Sequence, residues 1–335
     1  MTAKQKTVFF DQVPVLLTLL LLLAASLLYL KFGQVDISFA ELFRALFGHP
    51  DDRSGVIVLQ LRLPRLVLSA LSGLGFAVSG ALLQGSLRND LAEPGLIGVS
   101  SGGALLGLVA VLLFPHLAQL QLPFATCGAL LAAFLVQLVS GREPESGLRL
   151  ILIGAALSAL LGSLCSLLLY FHLEQAGAIL ACSVGSLSGK GWGELKTLLP
   201  YLLLGFIWAN LCAGELNIFS FGDELASSFG IFPARFRRKT LFIASLLGAG
   251  AVGAAGLLGF VGLLAPHAAR LMAGGDYRKV IPLSGLLGAL LVIISDLIAR
   301  CAVHGMELPT GMVTSLWGPV FFIFLLFQCA KKGKL

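Results

Sequence analysis

Apolar runs of about twenty residues, separated by short polar links, repeat along this chain from one end to the other. A helix needs about that length to cross a ~30 Å hydrocarbon core, whereas barrel strands are shorter and alternate. The runs predict spans over 14–30, 63–83, 94–114, 124–139, 148–171 and 195–213. Lys4 and Lys6 precede the first run. Its apolar core is longer than that of a signal peptide and lacks a small-x-small cleavage site, so it reads as an uncleaved span. Residues 31–60 read as a polar connection, 86–93 and 141–147 as tight polar links, and 172–193 as a short amphipathic helix that does not cross.

Thr240 to Met272 is a different case. Its 33 residues carry one charge, Arg270, beside His267. One straight helix of that length would measure ~50 Å, too long for a ~30 Å core, and two full spans need more residues. Gly259, Gly262 and Pro266 interrupt it. The prediction is a full span to about Gly256 and then a half-length helix from Gly262 to Leu271, a broken form that survives only where protein or a cavity covers the freed backbone. Segments 282–299 and 310–329 complete about ten helices. The predicted fold is all-α and polytopic, one transmembrane domain over residues 1–335.

The longest internal stretch that cannot lie in lipid is 215–239. Asp223 and Glu224 stand where acidic residues favour a helix N-terminus, Gly230 where a helix stops, and Pro233 where a second short helix can open and run through Arg235, Phe236, Arg237 and Arg238. Between them lie the small residues Ala226, Ser227 and Ser228, beside Phe229, Ile231 and Phe232. A plain surface loop with topology-setting charge is one reading. The length and the ordered helix signals favour a docking element.

Composition agrees with the pattern: 57% of residues are hydrophobic and 12% charged, against ~25% charged in a typical soluble domain. A net charge of +6 first suggests nucleic acid, but the basic residues sit in the links between spans, as topology signals do. With the N-tail inside and the spans alternating, 15 of the 23 Lys and Arg residues fall on the inner side. Both termini and 215–239 are then cytoplasmic, while Arg62, Arg65 and Arg300 are outside. The six cysteines form no CxxC pair and read as small buried hydrophobes.

Several motifs carry less than they first suggest. Gly248-Ala-Gly250-Ala-Val-Gly253 fits a dinucleotide fingerprint in letters, but it lies mid-span without the strand and acidic residue such a site needs, so helix packing accounts for it. Gly185-Ser-Leu-Ser-Gly189-Lys190 has the wrong spacing for a phosphate loop. The chain therefore has no nucleotide site, and an ATP-driven machine would need a separate ATPase. The five histidines lack ligand spacing and read as interface or solvated groups, with a metal or haem-iron contact as the alternative. Asp296 is the one clear carboxylate within a span; one turn from Arg300, it reads as half of a structural pair, against a role in ion coupling.

Leu61-Arg-Leu-Pro-Arg65, Gln84-Gly-Ser-Leu-Arg-Asn89 and Leu91-Ala-Glu-Pro-Gly-Leu-Ile-Gly-Val-Ser-Ser-Gly102 follow one another, and Gly222-Asp-Glu-Leu-Ala-Ser-Ser-Phe-Gly230, Gly259-Phe-Val-Gly-Leu-Leu-Ala-Pro-His-Ala-Ala-Arg270 and Glu307-Leu-Pro-Thr-Gly311 come further on. From about residue 60 to 325, this ordered set closely resembles the permeases of bacterial type II ABC importers for iron-siderophores, haem and vitamin B12, the FecCD type. The resemblance implies a ten-helix subunit of the bacterial cytoplasmic membrane, paired with a copy of itself around a translocation path. Two ATP-binding cassette subunits, which carry the ATP and Mg, would dock below, and a periplasmic or lipoprotein substrate-binding protein above. It implies ATPase coupling at Gly222, Asp223, Glu224, Ala226, Ser227, Ser228, Gly230 and Arg235, binding-protein docking at Arg62, Arg65 and Arg300, and a cytoplasmic gate at Asn89 and Leu91 with a second layer at Ser146 and Gly147. It implies no catalytic residue, cofactor or metal in this chain. The cargo stays open among haem, ferric siderophore and cobalamin, with a small oxyanion such as molybdate as the alternative and an ion-coupled carrier as the reading from another class. Two departures stand out: Asn89-Asp90-Leu91 replaces the family's Asn-Pro-Leu, and Trp317-Gly-Pro-Val320 replaces aliphatic-Gly-Ala-Pro.

Overall fold

The computed structural model describes residues 3–48, 53–114, 116–117, 120–140, 147–172, 183–303 and 305–331. Its elements are helical, and no strand occurs among the described residues. The first helix, α1 (Ala3–Lys31), lies at the edge of the bundle with most of its apolar face uncovered. The connection after it is more ordered than its polarity predicts. Ser38 and Glu41 form a reciprocal capping box that starts α2 (Phe39–Phe47), an amphipathic helix burying Leu42 and Ala45.

The next helix, α3 (Arg53–Leu87), begins at Arg53, not near Leu63 as the hydropathy suggests. The helix runs through a π-helical stretch, Ile57–Arg62, just before Pro64. A wider turn there accommodates a residue that has no N–H to donate and a ring that crowds the preceding turn. A 3-10 turn (Pro94–Ile97) leads into α4 (Val99–Leu113), followed by α5 (Gln121–Ser140) and α6 (Gly147–Phe171). The short non-crossing helix expected over 172–193 falls largely outside the described residues.

Helix α7 (Trp192–Leu211) bends by 49° into α8 (Ala213–Phe219). Then come α9 (Asp223–Ser228) and α10 (Pro233–Ala255). The second short helix expected at Pro233 does not exist as a separate element: no breaker separates Lys239 from Thr240, and the arginine-rich turn is the first part of α10. The predicted interruption does occur. α10 ends at Ala255, Phe260 takes a left-handed conformation (φ 63°), and the half-length α11 (Val261–Ala273) follows. Two long helices, α12 (Tyr277–Cys301) and α13 (Thr310–Lys331), complete the chain.

Among the described residues, five helices are long and apolar enough to cross a membrane, or six if the bent α7–α8 pair counts as one span. Two others fall short for visible reasons, since α4 has 15 residues and α11 has 13. α3 is the axle of the bundle, buried along almost its whole length against α10, α11 and α12. Backbones meet directly there. A Cβ on Gly73 would stand 2.2 Å from the carbonyl oxygen of Gly288, and one on Gly80 would stand 1.8 Å from that of Gly262. Such approach is how membrane helices gain packing without a hydrophobic drive. The Gly248-x-Gly250-x-x-Gly253 stretch serves the same purpose: each glycine faces a different neighbour, Pro94 and Val99, then Leu198 and Tyr201, then Leu122 and Thr126.

Candidate functional site

The polar stretch between α8 and α10 forms a compact protrusion. Gly222, at φ 121°, turns the chain into α9 with Asp223 and Glu224 in its first turn. The end of α9 is a Schellman motif: Gly230, at φ 80°, donates its N–H to the Ser227 carbonyl (2.9 Å), and Ile231 donates to that of Ala226 (3.0 Å). Ala226 is fully buried and seats the helix. Ser227 and Ser228 are exposed, and their hydroxyls donate back to their own helix, to the carbonyls of Asp223 and Leu225 (2.7 Å each). Around them stand exposed Phe221, Leu225, Phe229 and Phe232, with the Arg235 guanidinium 5.0 Å from the Phe232 ring centre. A surface hollow of about 590 Å³ runs alongside, bounded by Arg88, Phe221, Asp223, Glu224 and Ser228.

Asp223 ties this protrusion to the bundle. Its carboxylate pairs with Arg237 of α10 at 2.7 Å and with Arg88, the left-handed C-cap of α3, at 2.9 Å. The next residues are the gate loop expected from the sequence. Leu91 donates its N–H to the side-chain oxygen of Asn89 (2.9 Å) and Ala92 to the Asn89 carbonyl (3.0 Å), a side-chain-mediated turn that needs no proline between them. Asp90 points out from that turn and pairs with Arg270 of α11 at 3.1 Å. Arg270 also donates to Gln84 Oε1 (2.6 Å), and Gln84 Nε2 donates to the Gly262 carbonyl (3.1 Å). The Glu93 carboxylate accepts the Phe260 N–H at the helix break. The short helix α11 is therefore held by α3 and the loop after it. Of the second gate layer, Gly147 starts α6 and Ser146 lies outside the described residues.

At the opposite end, Arg62, Arg65 and Arg300 do come together, but they do not present themselves outward. All three are buried. Arg62 donates to the carbonyls of Leu30 (2.6 Å), Lys31 (2.7 Å) and Val35, and Arg300 to those of Tyr29 (3.1 Å) and Phe32. These are the unpaired carbonyls at and just after the C-terminus of α1, where cations are favoured. A Cβ on Gly33 would stand 2.9 Å from both guanidinium groups, so a larger residue there would push on the ends of both arginines. The expected Asp296–Arg300 pair is corrected. Asp296 is fully buried and accepts from Arg65 Nε (2.9 Å) and Nη2 (3.0 Å), Tyr29 Oη (2.5 Å) and Thr310 Oγ1 (2.6 Å), while Arg65 also pairs with Glu307 at 2.7 Å. One carboxylate thus joins α1, α3, α12 and α13.

Trp317 is held against α12 by its indole N–H, which donates to Ser295 Oγ (3.0 Å). His267 packs edge-on to Phe321 at 5.4 Å, and no group of three His, Cys, Asp or Glu among the described residues is arranged to hold a metal. Cys165 and Cys212 are buried as expected, while Cys127 and Cys301 are exposed on the lone chain.

Comparison with known proteins gives a consistent picture. Residues 20–328 match the FecCD transport family. The iron(3+)-hydroxamate import permease FhuG of Bacillus subtilis is 34% identical over 93% of this chain and 95% of its own length. The hemin transport permease HmuU of Yersinia pestis is 33% identical over 92% and 94%. The cobalamin import permease BtuC of Halobacterium salinarum is 38% identical over 84% and 75%. A solved structure, an inward-facing conformation of a metal-chelate type ABC transporter, superposes with a TM-score of 0.82 at 30% identity, covering 93% of this chain and 97% of the other.

Proposed function

Because this chain belongs to the FecCD transport family, as an ABC importer permease whose ATP hydrolysis is done by separate subunits, we propose that it moves a metal chelate, ferric siderophore or haem, or cobalamin, from the periplasmic side into the cytoplasm. The working unit is two copies of this chain in the inner membrane, termini in the cytoplasm. Two ATPase subunits, which hold the ATP and Mg, dock below it, and a substrate-binding protein docks above.

The observation that carries the reading is the position of Asp223 between Arg88 and Arg237. In this account the ATPase takes hold of Gly222 to Gly230 and Arg235, where a flat patch of small residues lies beside exposed aromatic rings. Movement of α9 reaches Arg88 through Asp223 and so moves Asn89 and Leu91, the cytoplasmic gate, with Gly147 and Ser146 as its second layer. The Asp90–Arg270 and Gln84–Gly262 links carry the same displacement to α11. At the outer end the binding protein meets the region of Arg62, Arg65 and Arg300. Arg62 and Arg300, bonded only to neutral carbonyls, supply positive field, Arg65 with its two carboxylates gives a firm seat, and exposed residues around them make the contact. Asp296 does not serve as a coupling-ion site, because Arg65 already neutralises it.

The test is uptake into proteoliposomes holding the complete assembly. Uptake of ferric siderophore, haem or cobalamin that requires ATP and survives collapse of ion gradients fits the proposal. Uptake that stops with the gradient and persists without ATP refutes it.

A further inference from the structure

A hollow of about 630 Å³ opens between the end of α7 and the start of α10. Its walls divide by polarity. Arg235, Arg238 and Lys239 lie at the end of α10 nearer the polar links. Trp208, Leu211 and Phe242 form the other part, with Phe242 one helical turn, about 6 Å, beyond Arg238. The Trp208 and Phe242 rings lie 6.4 Å apart, tilted by 41°. Above them the exposed face of α7 continues apolar through Ile207, Leu204 and Leu203.

Among the described residues the charge is not balanced. Lys239 pairs with Glu215 at 3.0 Å and Arg235 lies over the Phe232 ring, but neither Arg235 nor Arg238 is paired with a carboxylate among the described residues. Three cations thus share one acid. A free anion would have no use for the aromatic wall, and a water-soluble protein would have none for the apolar face that leads into the membrane. A molecule with an anionic head, a glycerol-sized waist and a hydrocarbon tail matches the whole surface. Aromatic side chains settle at the headgroup level, and basic pockets between membrane helices on the cytoplasmic side bind acidic headgroups.

We propose that this hollow binds an anionic phospholipid, its phosphodiester on Arg238 and Lys239, its backbone beside Trp208 and one acyl chain along Phe242 and α7. The site rests only on the chain's being embedded in a bilayer, so transport measurements and this binding can fail independently.

Of the three tryptophans, replacing Trp192 and Trp317 by Phe leaves Trp208 as the only reporter. The full chain is placed in phosphatidylcholine vesicles with a minor fraction of dibrominated phosphatidylglycerol, or with the same fraction of dibrominated phosphatidylcholine. Stronger quenching by the anionic lipid is expected. R238Q and K239Q should lower that preference by about five-fold for each cation removed. Equal quenching by the two lipids, or a preference that survives the double substitution, overturns the proposal. Displacement by millimolar inorganic phosphate also overturns it, since the site would then take a free anion. If the tryptophan-reduced chain does not fold, native mass spectrometry of the otherwise unaltered chain reads the same comparison. Phosphatidylglycerol retained by the parent and lost from R238Q/K239Q supports the site, and equal retention refutes it.

Discussion

Consider removing the partners of the fully buried Asp296 one at a time. Its oxygens accept four hydrogen bonds, two of them from Arg65. In Arg65→Gln the carboxylate keeps only the hydroxyls of Tyr29 and Thr310, and a buried charge is left uncompensated, at a cost of about 3–5 kcal/mol. Asp296→Asn is milder, toward 3 kcal/mol, because Arg65 keeps Glu307 at 2.7 Å on a carboxylate that is 29% exposed. The double variant removes both charges, so its loss should fall short of the sum of the two singles by about 2 kcal/mol or more, as for residues in one network. The assay is SDS-titrated unfolding of the purified chain in mixed micelles, for wild type and all three variants. Additive losses, or singles below about 1 kcal/mol, would refute the claim that this carboxylate holds α1, α3, α12 and α13 together.

Gly80→Val puts a side chain into the Gly262 carbonyl, 1.8 Å from where its Cβ would sit, and should cost at least the ~3 kcal/mol upper range of overpacking; monodisperse yield in detergent reads it. Gly162→Ala in α6 meets nothing within 4 Å and should stabilise by about 0.5–1 kcal/mol in the same unfolding assay. The Asp276 carboxyl, hydrogen-bonded by Asn217 and capping α12, is held below the usual aspartate value, so its contribution is present above the unfolded value and lost as pH falls through the folded one. Asp276→Ala should therefore cost about 0.5–2 kcal/mol at pH 7 and progressively less below about pH 4, measured by unfolding midpoints against pH. Asp90→Asn removes an ion pair whose acid is 71% exposed, so stability should change by less than about 1 kcal/mol and the difference should vanish in high salt.

What was legible in the sequence follows from what the bilayer and local rules constrain. The break near residue 256 could be read because 33 nearly uncharged residues fit neither one span nor two. Gly230 could be read as a stop because a left-handed C-cap favours glycine. The partner of Asp296 could not, since the local rule offers Arg300 four residues away while the actual partner, Arg65, is 231 positions distant. The inward commitment of Arg62 and Arg300 depends on where α1 ends in space, which no spacing along the chain reveals. Helix α2 was hidden by its polarity: its capping box is visible in Ser38 and Glu41, but an amphipathic helix in a link raises no hydropathy signal. Asp90 stands where the family pattern has proline. The Asn89 side chain and Arg270 hold the turn by hydrogen bonding and charge instead of a ring.

The central claim is that Asp223 passes ATPase motion to the gate loop through Arg88. It is tested most directly by Asp223→Ala in the reconstituted assembly, with ATP hydrolysis and cargo uptake measured on the same vesicles. The account predicts an assembly that still forms, with hydrolysis that no longer responds to loaded binding protein and uptake reduced to background. Wild-type uptake per ATP in that variant would contradict it.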